Sequence, residues 1–139
     1  MEIVRESDRV VLPNPRPRVH VEAMAGRWTK TNESAQWIAR LVIDVDGDAL
    51  NVHVFGGGSG PTPDDWGPAK TELVYASNVA TGDARAGAFL AHFRLPEADV
   101  EMQANLNLGL LVVATYVTFR EPGTNANRFT REFFRREDS

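Results

Sequence analysis

Short strand-like runs follow one another along the whole sequence, and turn signals separate them. No segment shows a helical hydrophobic period of useful length. Hairpin-length links such as Asp46-Gly47-Asp48 connect the runs, and glycine accepts the positive φ that tight hairpins need. The eight predicted strands lie at residues 27–31, 36–45, 49–55, 70–78, 88–95, 99–106, 110–119 and 128–136. Sequential strands with short links predict an all-β fold, an eight-stranded antiparallel up-and-down β-barrel, with a two-sheet sandwich as the alternative.

The N-terminal part of the chain differs from the rest. Pro13, Pro15 and Pro17 stand at alternate positions, and each proline fixes φ and lacks an N–H donor. We therefore expect residues 1–24 to form an extended, Pro-containing arm and residues 25–139 to form one β-barrel domain. A chain of 139 residues fits this single-domain division.

Composition excludes several classes of function. The formal net charge of −4 gives no electrostatic reason to expect nucleic acid or an anionic membrane as a partner. The absence of cysteine excludes disulfides, thiolate catalysis and Cys-ligated metals, and the three histidines have no metal-ligand spacing. We see neither a membrane-spanning apolar run nor a signal peptide. The expectation is a cytoplasmic protein with no metal and no cofactor.

The tripeptide Gly26-Arg27-Trp28 opens the first predicted strand, and Arg135 and Arg136 end the last one. This combination resembles the Gly-x-Trp signature of the calycin barrels, the group of lipocalins, fatty-acid-binding proteins and avidins. The resemblance implies that Trp28 closes one end of the barrel and that a basic residue of the last strand packs across its ring. Strand direction agrees, because an eighth strand that runs down beside the first ends at Trp28. Avidins normally carry Asn where this chain has Lys30, so we do not infer biotin binding.

The opposite end of such a barrel would hold the long loop at residues 56–69, which contains Trp66. A tryptophan in a Gly/Pro-rich loop has no strand face to pack on. Trp66 is therefore expected to cover the opening as a lid that contacts a ligand. Structural packing within the loop and contact with another subunit are the alternatives.

Alternation along the strands predicts which residues line the interior. For the third strand the choice stays open between Leu50, Val52 and Val54 on one face and His53 with its neighbours on the other. Small inward residues leave room for a hydrophobic small molecule, and a filled core is the alternative. Besides Trp66, the expected ligand-binding residues are Trp37, Leu41, Leu73, Phe89, Phe93, Met102, Ala104 and Ala114.

Three polar side chains are predicted to face this cavity and to be catalytic. Lys30 would polarise a carbonyl or hold a carboxylate, whereas a solvated lysine at the opening is the alternative. Tyr75 and Tyr116 would donate hydrogen bonds to a ligand, or satisfy their hydroxyls locally. The seventh strand is apolar on both faces, so its outer face needs cover from a second subunit, as in a homodimer, or from the arm.

The layout also resembles the small β-barrel cyclases and pericyclases of bacterial polyketide pathways in architecture and composition. This resemblance implies a cofactor-free enzyme that holds a hydrophobic, polyketide-like molecule in a reactive conformation. The alternatives are a non-catalytic carrier of a hydrophobic small molecule and a protein-interaction module with a solid core.

Overall fold

The computed structural model describes residues 19–31, 37–58, 63–77, 84–121 and 125–137. These residues form ten strands and one short 3-10 helix, Val21–Met24, and they contain no α-helix. None of the described segments is a helix that could cross a membrane. The strands are β1 Val19–His20, β2 Gly26–Lys30, β3 Ile38–Asp46, β4 Ala49–Gly56, β5 Asp65–Lys70, β6 Leu73–Ala76, β7 Ala84–Arg94, β8 Ala98–Asn107, β9 Leu110–Phe119 and β10 Arg128–Arg136.

The strands belong to one mixed sheet in the order β1-β7-β8-β9-β10-β2-β3-β4-β5, and β6 also pairs with β7. β1 runs parallel to β7, and the remaining pairs are antiparallel. The all-β prediction is confirmed. The sheet is strongly curled and forms a half-barrel rather than a clearly closed eight-stranded antiparallel barrel.

Two consecutive residues between β5 and β6 bond to β4 and β7, which are each the second strand from an end of the sheet order. The N–H of Thr71 donates to the carbonyl of Leu50 in β4, with an N–O distance of 2.9 Å. The N–H of Glu72 donates to the carbonyl of Leu90 in β7, also at 2.9 Å. The chain therefore passes from one end of the curled sheet to the other at this point.

β5 is a strand where the sequence predicts a loop. It contains Pro68, which has no N–H for a ladder, and Gly67, which has a φ of +80°. β5 stands at the end of the sheet order, where a proline is tolerated because one side of the strand needs no partner. The register also shifts between Val54 and Phe55 in β4. The sequence therefore predicts a loop here because turn-forming residues occur within an irregular edge strand.

Part of the predicted arm packs on the sheet. Val19 and His20 pair with the start of β7, and Val21 and Met24 of the 3-10 helix are buried. Residues 1–18, which include the three alternating prolines, lie outside the described residues.

The core lies on the concave face of the sheet, where alternate residues of each strand point inward. Of the two possible faces of β4, the buried one carries Leu50, Val52 and Val54. The predicted interior residues that are indeed buried are Trp37, Leu41, Trp66, Phe89, Phe93, Met102 and Ala104.

The predicted inward face of β9 is wrong. Tyr116 is 45% exposed and Ala114 is only partly buried, because both lie on the convex face. The cause is the two-residue turn before β9, in which Leu108 and Gly109 both have positive φ. This turn pairs inward-facing Leu106 with Leu111, so the next odd-numbered residues of β9 also face inward.

The inward face predicted for the fourth strand is wrong as well. Leu73 and Tyr75 are 52% and 47% exposed. Val74 is the residue opposite Phe89 in β7, and directly opposite residues share a face of the sheet. Val74 therefore packs against the core, and its two neighbours point outward.

Candidate functional site

One end of the half-barrel is closed by Trp28 and Arg136, which are opposite one another in β2 and β10. The guanidinium carbon of Arg136 lies 4.4 Å from the centroid of the Trp28 ring. The indole N–H donates to the carbonyl of Met24 at 3.1 Å. Arg136 also donates to the carbonyl oxygens of Ala23, at 2.7 Å, and Ala25. The polar group of the Trp28 side chain therefore has a partner within the fold.

Gly26 stands two residues before Trp28 for two physical reasons. Its φ of +138° is a conformation that side chains rarely adopt. A Cβ at this position would also meet the guanidinium of Arg136. Arg135, the other predicted closing residue, is exposed and lies on the opposite face of β10.

Three aromatic side chains form a cluster inside the curled sheet, away from Trp28. The rings of Trp37 and Trp66 meet edge to face with centroids 5.9 Å apart, and Trp66 lies 5.5 Å from Phe93 in the same manner. Both indoles are buried, with 6% and 7% exposure. Gly56 makes room for this arrangement, because a Cβ there would lie 3.2 Å from Trp66 Nε1. Trp66 thus belongs to the interior of the fold.

A charged pair lies buried on the same concave face. Lys30 at the end of β2 donates from Nζ to Oε2 of Glu132 in β10, and their side chains are 8% and 7% exposed. The N–H of Ile38, the residue after Trp37, also donates to Oε2 at 3.4 Å. Burying an ion pair costs several kcal/mol per charge before its attraction is counted. The pair is therefore weak as a source of stability.

Three buried polar atoms in this region have no hydrogen-bond partner. They are Nε1 of Trp37, Nε1 of Trp66 and Oε1 of Glu132. Nearly all buried polar groups in proteins are paired, so each exception needs an explanation. These atoms are two N–H donors and one carboxylate acceptor.

Two threonines extend the polar strip along the concave face. Thr115 in β9 and Thr130 in β10 are directly opposite and share a hydrogen bond between their hydroxyls. Thr130 lies two residues before Glu132, so their side chains share one face of β10. The two hydroxyls bond to one another. Within this polar strip, Oε1 of Glu132 is the atom without a hydrogen-bond partner.

The structure brings together some of the predicted site residues and separates others. Lys30, Trp37, Trp66 and Phe93 all lie on the concave side, within or close to the two clusters just described. The predicted site residues on the convex face are Leu73, Tyr75 and Tyr116, together with the partly buried Ala114.

Sequence reasoning missed Glu132, although a signal was present. Arg135 or Arg136 was expected to reach Trp28, and Glu132 precedes Arg136 by four residues in the same strand. Residues separated by an even number share a face of a strand. An inward Arg136 implies an inward Glu132, whereas an inward Arg135 would have placed Glu132 on the outer face.

The strand that carries Trp66 is anchored on its outer side by an acidic residue. Asp65 accepts a hydrogen bond from His53, at 2.7 Å, and one from the N–H of Gly67, at 2.8 Å. These two hydrogen bonds hold the pKa of the Asp65 carboxyl below its ordinary value, and the bond from His53 has the larger effect.

A surface cavity of about 260 Å³ lies against Phe119 and Arg120. Phe119 lines this cavity and lies 5.7 Å from the guanidinium of Arg128, which in turn lies 5.3 Å from the ring of Trp37. Arg128 therefore lies near both Trp37 and one residue that lines the cavity. Its lining residues are Pro96, Glu97, Phe119, Arg120, Glu121 and Asn125.

Within the described part of the chain, no group of three His, Asp or Glu residues is placed to hold a metal ion. Comparison of the chain with protein-family models, curated proteins and solved structures found no match. The fold and the site define a curled all-β half-barrel with a polar cluster on its concave face. The resemblance to calycins and to barrel cyclases remains a prediction from the sequence.

Proposed function

We propose that the protein is a cofactor-independent enzyme of the cyclase type. Its substrate is a hydrophobic, polyketide-like small molecule that carries carbonyl groups and binds on the concave face of the sheet. Lys30, Glu132, Trp37 and Trp66 form the polar part of the site, and the surrounding aromatic and aliphatic side chains form the apolar part.

One observation carries the proposal. Glu132 is buried, Lys30 occupies one of its oxygens, and the other oxygen has no partner. A buried pair of this kind is often replaceable by apolar residues without loss of stability. Its presence on the concave face that also carries two unpartnered indole N–H groups supports a role in binding a ligand.

The proposed reaction is a ring closure that conserves atoms. Oε1 of Glu132 takes a proton from the carbon next to a ligand carbonyl, and the bonding electrons move to the carbonyl oxygen. The indole N–H groups of Trp37 and Trp66 donate to that oxygen and stabilise its charge. The resulting carbon nucleophile attacks a second carbonyl of the same molecule, and Glu132 returns the proton to the new alkoxide. Lys30 holds the carboxylate in place throughout.

Access to the site is proposed to require movement of Trp66. This side chain covers the concave face between Trp37 and Phe93, and it sits on β5, the strand at the end of the sheet order. End strands make hydrogen bonds on one side, so they open at lower cost than central strands. Once the ligand has entered, Trp66 would close over it, and its indole N–H would then reach the carbonyl oxygen.

Native mass spectrometry tests the proposal. The full chain is incubated with an organic extract of the cells that produce it, and bound molecules are recovered and compared with the input by chromatography. We expect a bound hydrophobic species of unchanged mass and altered retention, because ring closure conserves mass. Glu132→Gln keeps the shape of the site, so it is expected to bind the species and leave its retention unchanged. Glu101→Gln, a carboxylate on the convex face, serves as the matched control.

The outcomes separate the candidate functions. A species that the wild type binds and releases unchanged would overturn the enzyme and support a carrier. Failure of the wild type to retain any hydrophobic species would overturn both and favour a protein-interaction module with a solid core. Trp66→Phe retains an aromatic ring and loses the N–H, so it is expected to bind the hydrophobic species more weakly than the wild type. This variant tests the site if Glu132→Gln is too unstable to use.

A further inference from the structure

The concave face of β10 carries an arginine near each of its ends. Arg128, Glu132 and Arg136 are separated by even numbers of residues, so their side chains leave the strand on the same face. Each arginine lies over an indole ring. The guanidinium carbon of Arg136 is 4.4 Å from the ring centroid of Trp28, and that of Arg128 is 5.3 Å from the ring centroid of Trp37.

The two arginines differ in their hydrogen-bond partners. Arg136 donates to the carbonyl oxygens of Ala23 and Ala25. Arg128 is exposed, and within the described residues its guanidinium contacts two aromatic rings and no hydrogen-bond acceptor. A guanidinium has five N–H donors and no acceptor. Arg136 therefore completes the fold at its end of the strand, whereas the donors of Arg128 are open to an acceptor from outside the chain.

The charged side chains at the nearby surface cavity do not compete for this role. Arg120 is held by Asp99, whose Oδ1 accepts from it at 2.6 Å, and by backbone carbonyl groups. Glu97 and Glu121 also line the cavity, and their negative charges disfavour an anion there. Arg128 is therefore the cation of this region with open donors, and an anion would approach it on the side of the indole.

Trp37 connects Arg128 to the carboxylate of Glu132 through its contacts. Its ring lies beside Arg128, and the N–H of the following residue, Ile38, donates to Oε2 of Glu132 at 3.4 Å. Arg128 and Glu132 are four residues apart in β10, which corresponds to about 13 Å along an extended strand. A ligand that lies along this face of β10 and against Trp37 therefore spans the distance between the two charges.

We propose that the substrate carries a carboxylate and that Arg128 binds it. This inference rests on the proposed function, because it concerns the other end of the molecule whose carbonyl groups react at Glu132. The planar guanidinium forms two parallel hydrogen bonds with a carboxylate, and the indole beside it keeps water from one side of the pair. Arg128 is thus a specificity residue, which selects a hydrophobic keto acid over the corresponding neutral ketone.

Two related probes isolate the contribution of the carboxylate. 6-Acetyl-2-naphthoic acid carries a ketone and a carboxylate at opposite ends of a naphthalene, and 2-acetonaphthone carries the ketone alone. Their dissociation constants for the full chain are measured at pH 7 and low ionic strength by titration, followed through the indole ¹⁵N–¹H signals. We expect the acid to bind about tenfold more tightly than the ketone, because the bidentate charged pair adds to the same aromatic contacts. Added salt is expected to reduce this preference.

Variants at Arg128 separate its charge from its packing. Arg128→Met keeps a long apolar stem over the rings and loses the charge, so it is expected to bind both probes equally and to leave the affinity for the ketone unchanged. Arg128→Lys is expected to keep part of the preference. Arg40→Met is the matched control, because Arg40 in β3 also lies over a ring, 4.3 Å from the centroid of Phe55. It removes the same charge elsewhere on the sheet and should keep the full preference.

Three results would overturn the role of Arg128. They are equal affinity of the wild type for the two probes, a preference for the acid that survives Arg128→Met, and an equal loss of preference in Arg40→Met. If the ketone binds at the indoles and the carboxylate adds nothing, this inference fails and the proposed function stands. If neither probe binds, the concave site is refuted and this inference with it. Each variant is checked by thermal unfolding, and these surface changes are expected to leave the fold intact.

Discussion

Replacement of the buried pair gives the most informative perturbation of stability. Glu132→Leu leaves the ammonium of Lys30, which is 8% exposed, without its partner and removes an acceptor from the N–H of Ile38. Breaking a buried pair in this way costs about 3–5 kcal/mol. In Lys30→Met/Glu132→Leu both charges are absent, so the desolvation cost disappears as well. We predict that this double variant is at least about 2 kcal/mol more stable than Glu132→Leu alone.

Urea unfolding at neutral pH, followed by far-ultraviolet circular dichroism, measures these free energies for the wild type, both single variants and the double variant. Together they form a double-mutant cycle, which isolates the coupling between the two side chains. The double variant is also expected to lose the ability to convert ligand while remaining folded. The reasoning is refuted if Glu132→Leu costs less than about 1 kcal/mol, or if the double variant is no more stable than that single one.

Three further predictions concern Arg136, Gly56 and Asp65. Arg136→Gln removes the ring contact and two carbonyl contacts of the guanidinium, so it should cost about 2 kcal/mol in urea unfolding, whereas Arg135→Gln should stay within about 0.5 kcal/mol of the wild type. Gly56→Ala would bring a Cβ within 2.7 Å of a carbonyl oxygen across the β4–β5 connection and should lower the thermal midpoint and perturb tryptophan fluorescence. The lowered pKa of Asp65 stabilises the fold fully above its unfolded value near 3.8, and this contribution is lost as the pH falls below that value. Asp65→Asn or His53→Gln should therefore flatten the acid limb of the stability profile.

Hydrophobic alternation and turn residues predict most of the strands because these signals are local. The predicted seventh and eighth strands agree with β9 and β10 at both ends. β5 was missed because Gly67 and Pro68 are signals for a turn, and the position of an edge strand in the sheet overrides them. Whether the curled sheet closes depends on long-range pairing, which local patterns do not contain.

The concave site was predicted in part, for reasons that differ from residue to residue. Lys30 on β2 and Trp37, just before the start of β3, were both assigned inward from alternation. Tyr116 was assigned inward because β9 is apolar on both faces, so alternation gave no decision. The two-residue turn at Leu108 and Gly109 would have given the correct face, since it fixes the pairing of the strands on either side.

The unpartnered atoms could not have been found from sequence. Identifying a buried polar atom without a partner requires the positions of every neighbour, including Lys30 and Ile38 around Glu132. A tryptophan in a Gly/Pro-rich segment can form a lid, pack within its own loop or lie in the interior of the fold. Only the distances from Trp66 to Trp37 and Phe93 place it inside the fold.

The central claim is that the unpartnered indole N–H groups bind a ligand carbonyl. Two-dimensional ¹⁵N–¹H NMR tests it directly, because the three tryptophans give three indole signals that Trp→Phe variants assign. The probe is 2-acetonaphthone, an aromatic ketone, and 2-ethylnaphthalene is the control without a carbonyl. We predict downfield shifts of the Trp37 and Trp66 signals with the ketone alone, whereas Trp28, which already donates to Met24, stays unchanged. Equal shifts with both compounds, or no shift at Trp37 and Trp66, would contradict the claim.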